Sequence, residues 1–153
     1  MTYLKLAITV AALGSSTPAF AQDDFSGTLK ARQGQFQIMA LNLGILGNMA
    51  RGRMDYDADA AQAAADTLVA VSQIQQAPMW PEGTDNAAIE GTRAQPTIWA
   101  ENADFLEKWA GFGEGALVIQ AAAGNGLEAL GPAMGPVGGS CKACHDNHRA
   151  PAN

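Results

Sequence analysis

Cys141-Lys142-Ala143-Cys144-His145 narrows what this chain can become more than any other stretch of it. The only two cysteines lie three residues apart, near the C-terminus. A disulfide between them would close so small a loop that its entropic benefit would be slight. A thioredoxin-like redox pair would follow a strand in an α/β fold, and no useful length of this chain alternates apolar and polar residues as a strand does. Zinc has four potential ligands in Cys141, Cys144, His145 and His148. Ligands that close together on one helix do not readily surround a tetrahedral ion without a second segment. C-x-x-C-H fits covalent haem: the two thiols add across the two vinyl groups, and the adjacent histidine is pinned beneath the iron. The expectation is one haem c, attached through Cys141 and Cys144, with His145 as axial iron ligand.

Residues 1–21 read as an export signal. Lys5 supplies a positive start, Leu6 to Leu13 an apolar stretch, and Ala19-Phe20-Ala21 a small-x-small cleavage site. The apolar stretch is too short to span a bilayer, which argues against the alternative of an N-terminal anchor. The expected mature protein is 22–153, one soluble domain in the periplasm, where the maturation machinery for c-type haem works. The whole chain has 9 Lys and Arg against 15 Asp and Glu, and only Lys5 of these lies in the signal, leaving 8 against 15, a net charge of −7. An acidic domain without a basic cluster in its sequence repels phosphate backbones, so nucleic acid is not an expected partner. The same charge would steer a basic protein toward it.

Helices and loops account for the rest. Phe36, Met39, Leu43, Leu46 and Met49 recur at steps of three and four, predicting a first helix from about Asp24 to Met49 that Arg51-Gly52-Arg53 closes. A second helix begins near Asp57 or Asp59 and runs toward Pro78. Breakers spread over Pro78 to Pro96 predict a long loop with a task. A third helix follows Pro96 to about Ala123, and a fourth runs from Leu127 to about Arg149 after the turn Gly124-Asn125-Gly126. Pro132 and Pro136 are expected to kink or restart that last helix. Four amphipathic helices with such connections predict an all-α, antiparallel (up-down) four-helix bundle.

In the order and spacing of its motifs the chain resembles the cytochrome c′ family, the class II c-type cytochromes, over nearly all of 22–153. The pieces are Ala31-Arg32-Gln33, Ala50-Arg51-Gly52, Trp80-Pro81-x-Gly83-Thr84, Pro96-Thr97-Ile98-Trp99, and Val137-Gly138-x-Ser140 leading through the cysteines to Asp146 and Arg149. The resemblance implies that Arg32 and Gln33 lie near the haem propionates, where a guanidinium suits a carboxylate. It also implies that Thr92 and Arg93 approach the haem edge and that Arg149 sits by the proximal histidine. Low-spin relatives carry a methionine ligand four residues after the arginine; this chain has Phe36 there. The implied state is five-coordinate, high-spin haem, open to small gases such as nitric oxide and carbon monoxide.

Met39, three residues after Phe36, keeps a second reading open: a six-coordinate, low-spin electron carrier with Met39 as sixth ligand. The alternative for Met39 is packing against the haem. His148 departs from the Phe or Tyr usual in relatives at that position, and is expected to be partly exposed without a metal role. Catalysis, such as a weak nitric oxide reductase or peroxidase activity, lacks a candidate general acid on the first helix, which offers only Gln33 and Gln37. Ile38, Leu41 and Ile45 on that helix's second face suit either a homodimer or contacts with the second helix.

Overall fold

The computed structural model describes residues 24–152, so the expected signal at 1–21 lies outside the described residues. Helices α1 (Ser26–Ala50), α2 (Ala58–Ser72), α3 (Thr97–Ala100), α4 (Asn102–Ala123) and α5 (Leu127–His148) make up the fold. Among the described residues the only β pairing is an isolated antiparallel bridge, Ala94 with Arg149. α4 packs on α2 and α5, and α1 packs on α2 and α5, which closes the ring of an up-down four-helix bundle.

Two helix ends have a local cause that the sequence supplies. Asp57 caps α2 by accepting from the Ala60 N–H at 2.9 Å. Gly52, at φ 66°, turns the chain out of α1 in a conformation that a side chain would oppose. The Tyr56 hydroxyl donates to the Ala123 carbonyl at 2.8 Å and accepts from the Gly126 N–H at 2.9 Å. The α1–α2 connection is thereby tied to the α4–α5 turn at one end of the bundle.

The predicted stripe of α1 divides in two. Met39, Leu46 and Met49 are buried with Leu68, Ile119, Leu130 and Val137 in the main core, and Leu43 packs against them. Phe36 is 37% exposed and opens onto the cavity described below. On the opposite face Ile38 and Leu41 are exposed, whereas Ile45 packs on the core.

Two expectations need correction. The third helix is not continuous: Glu101, at φ −120° and ψ 44°, separates α3 from α4. The break lets Ile98 join a second small core with Ala94 and Phe105, under the long loop, while α4 follows the bundle axis. The last helix, conversely, runs through Pro132 and Pro136 without interruption. Both prolines and Glu128 are exposed, so the carbonyls of Glu128 and Pro132, which lose their donors, have water as an alternative.

Close approach of α4 and α5 carries the cysteine motif into the bundle. A Cβ on Gly115 would lie 2.8 Å from Val137 Cγ2 and 2.9 Å from the Val137 backbone nitrogen. Gly115→Ala is therefore expected to destabilise by about 1–3 kcal/mol through overpacking. Gly111→Ala on the same helix, where a Cβ meets nothing within 4 Å, should instead stabilise by about 0.5–1 kcal/mol. Thermal unfolding of the two variants measures the difference; equal melting would show that α5 shifts freely.

Candidate haem site

One cavity of about 420 Å³ collects every residue singled out from the sequence as a site residue. α1 contributes Arg32, Gln33, Phe36 and Met39; the long loop contributes Thr92 and Arg93; α5 and its end contribute Cys141, Cys144, His145 and Arg149. Trp80, Phe105, Lys108, Trp109, Phe112 and His148 complete the wall, most of them unforeseen. Trp80 had a signal of its own, because a tryptophan in a polar loop needs something to cover it.

Cys141 and Cys144 sit half-buried within one turn of α5, with His145 beside them. Burial pushes both thiols up from their ordinary value, so they remain protonated at neutral pH. Burial pushes the His145 imidazole down, and the positive charges of Arg149 and Arg93 add to that. A neutral imidazole keeps a lone pair for a metal.

The end of α5 is fastened to the loop on the other side of the cavity mouth. The Gln95 N–H donates to the His148 carbonyl at 3.0 Å, and the Ala150 N–H to the Arg93 carbonyl at 2.8 Å. Arg93 Nε donates to the Ala150 carbonyl at 2.7 Å. This short pairing sets Arg93 and Arg149 beside the motif.

Arg32 is 2% exposed and holds the loop from α1. It donates from Nη1 to the Thr84 hydroxyl and from Nη2 to the Thr84 carbonyl and the Thr92 hydroxyl, all at 3.1 Å. Its guanidinium carbon lies 4.4 Å from the centre of the Trp80 ring, a cation–π contact. Gln33 donates to the Gly91 carbonyl at 2.7 Å, in the same loop. Burial pushes the Arg32 guanidinium down from its ordinary value, but it remains cationic at neutral pH.

His148 is the residue that sequence reasoning misjudged. It is 2% exposed, with Nε2 at 2.9 Å from Asp104 Oδ2 and Nδ1 at 3.0 Å from the Thr97 hydroxyl oxygen. Its ring meets Phe105 edge-on at 5.8 Å between centroids. It occupies an aromatic position against Phe105, and α3 and α4 supply the polar partners that make an imidazole tolerable there. Asp104 also binds Lys108, and that pairing helps hold its carboxyl below the usual carboxylate range.

The charge of the wall is as informative as its shape. Arg32, Arg93, Lys108 and Arg149 line the cavity, and among the described residues no Asp or Glu does, in a chain of net charge −6. Cations scattered in sequence are thus gathered by the fold around one apolar space. Thiols and an imidazole on one wall, aromatic rings on the others and arginines at the mouth fit a flat apolar group bearing carboxylates.

A four-helix bundle with C-x-x-C-H on its last helix, opening into such a cavity, defines a helical-bundle c-type cytochrome. The chain belongs to the cytochrome c′ family, whose cofactor is covalent haem c: the family model described as Cytochrome C′ matches residues 27–149. It is 38% identical to cytochrome c′ of Cereibacter sphaeroides over 143 residues, covering 93% of this chain and 96% of that one. It is similar in structure to cytochrome c′ from Rhodobacter sphaeroides, with TM-score 0.81, 38% identity and coverage of 84% and 99% of the two chains. A nitric oxide complex of a cytochrome c prime mutant from Alcaligenes xylosoxidans is also similar, with TM-score 0.70, 33% identity and coverage of 82% and 96%.

Arg32→Met would leave Thr84 and Thr92 without their common donor. It is expected to cost about 2–4 kcal/mol of stability and to open residues 80–95 to limited proteolysis. Arg32→Lys should not rescue, because an ammonium lacks the planar fork that reaches these acceptors. Unchanged melting and cleavage in Arg32→Met would show that the loop holds itself.

Proposed function

We propose that this is a periplasmic cytochrome with five-coordinate, high-spin haem that binds nitric oxide and carbon monoxide at the face opposite His145, and that it also carries electrons. Cys141 and Cys144 attach the haem by thioethers, and His145 is its axial ligand. Arg32, Gln33, Thr92 and Arg93 lie toward the propionates, Arg149 lies by the proximal side, and Phe36 covers the distal face. Residues 1–21 are removed on export, and the cytochrome c maturation machinery completes the protein. When bound, the haem supplies the iron that takes up the gas or the electron.

One observation favours the five-coordinate reading: the residue at the distal position is Phe36, and Met39 is packed into the core. Met39 is 7% exposed and packs in the main core with Leu46 and Met49. His148 is held by Asp104 and Thr97, and Lys108 by Asp104. The His145 imidazole lines the same cavity beside the two cysteines. Phe36 has no atom that can coordinate iron.

Leu41, 66% exposed, and Ile38, 46% exposed, offer an apolar face on α1 for a second copy of the chain. The nitric oxide bound by the Alcaligenes relative supports the choice of ligand.

The absorption spectrum of the ferrous holoprotein tests the reading directly. A broad high-spin spectrum that shifts on adding carbon monoxide is expected, unchanged in character by Met39→Leu. A sharp low-spin spectrum indifferent to the gas, and broadened by Met39→Leu, would make Met39 the sixth ligand and the protein a dedicated electron carrier.

A further inference from the structure

Phe36 must yield if a ligand is to reach the iron, yet two anchored indoles flank it. Its ring meets Trp80 edge-on at 6.4 Å and Trp109 edge-on at 6.3 Å between centroids. A phenyl ring has no polar atom to fix its rotamer, so its position is set by the rings it touches.

Both indoles are held by their N–H groups. Trp80 donates Nε1 to Gln76 Oε1 at 3.1 Å. Gln76 is itself locked to Gln35 by two amide hydrogen bonds, at 3.1 and 3.2 Å, and both glutamines are buried. Arg32 lies over the same indole at 4.4 Å, and Phe105 meets it edge-on at 5.0 Å. Trp109 donates Nε1 to the Ser72 carbonyl at the end of α2, at 3.1 Å, and its ring contacts Phe112 at 5.4 Å. Neither indole can swing aside without breaking a part-buried hydrogen bond.

We propose that Trp80 and Trp109 are positioning residues of the distal gate: by confining the Phe36 ring they set how fast a small neutral diatomic ligand reaches the iron. The inference rests on the gas-binding reading above. Displacing Phe36 sacrifices its edge contacts, and that loss belongs to the barrier for ligand entry. An aliphatic side chain at either indole position removes a contact that depends on ring geometry and leaves Phe36 freer to move.

Carbon monoxide association with the ferrous holoprotein, followed by flash photolysis, is the test. Trp109→Leu is expected to bind on the order of three- to tenfold faster than wild type, the range that loss of one aromatic pair allows. In a Phe36→Ala background, itself faster, Trp109→Leu should add nothing, because the two act through one ring. Trp80→Phe keeps an aromatic ring but loses the Gln76 bond; it should also accelerate binding, and it serves if Trp109→Leu does not fold. The Phe36 ring-flip rate, measured by NMR exchange on the same holoprotein, should rise in parallel. If Phe36→Ala is faster but both tryptophan variants bind at the wild-type rate, the indoles do not govern the gate and this inference alone falls. Equal acceleration by Trp109→Leu with and without Phe36 would overturn it too. An unchanged rate in Phe36→Ala would overturn the gate reading itself.

Discussion

A buried guanidinium organises one side of this molecule. Taking Arg32 out of water costs several kcal/mol unless its hydrogens find acceptors. The acceptors it finds are neutral: the Thr84 carbonyl, two threonine hydroxyls and the face of Trp80. They belong to the long loop, so the loop is drawn over the end of α1 by the need to solvate one charge. Because no carboxylate among the described residues joins them, the positive charge is not cancelled there. It faces a cavity whose other charged walls are also cationic, which is the environment a group carrying carboxylates would find favourable.

On the other side, packing rather than charge does the positioning. Gly115 lets α4 approach Val137 more closely than any side chain would allow, and Cys141 and Cys144 follow about one and two turns later on α5. His148 and the segment 93–95 then fasten the last turn of α5 to α3, α4 and the loop. The motif is therefore held on a rigid helix with its end tied down, as a site that must present an imidazole at fixed height requires. Arg32 lines the cavity from α1, while Gly115 sets how closely the helix that carries the motif packs on α4.

Periodicity and motif spacing carried most of the fold into view, and the misses have physical causes. The four long helices were legible because their apolar steps and breakers agree. The break at Glu101 was not, because no glycine or proline marks it; it arises where Ile98 and Phe105 serve a second small core. Pro132 and Pro136 misled in the opposite sense, since a proline's cost in a helix falls when the carbonyl it orphans can reach water. That the cysteines, His145, Arg32 and Phe36 line one cavity follows the grouping that spacing and family resemblance suggested. The burial of His148 was not legible, because its partners Thr97 and Asp104 lie more than forty residues away in sequence, at separations of 51 and 44. Long-range hydrogen bonds leave no local pattern to read.

Charge and bulk divide the labour around the proposed haem. Nitric oxide and carbon monoxide are uncharged, so neither the acidic exterior nor the cationic wall steers them. The gathered cations make better sense as partners of the cofactor than as a lure for its ligands. On the proposed gas-binding reading, discrimination among gases would be steric and local, at the ring of Phe36 and at whatever limits that ring's motion. Larger ligands would need the Gln35–Gln76–Trp80 network or the Trp109–Ser72 bond to give way as well. A soft, apolar gate backed by a stiff, hydrogen-bonded frame would, on that reading, admit what can displace one phenyl ring and exclude what must move the wall behind it.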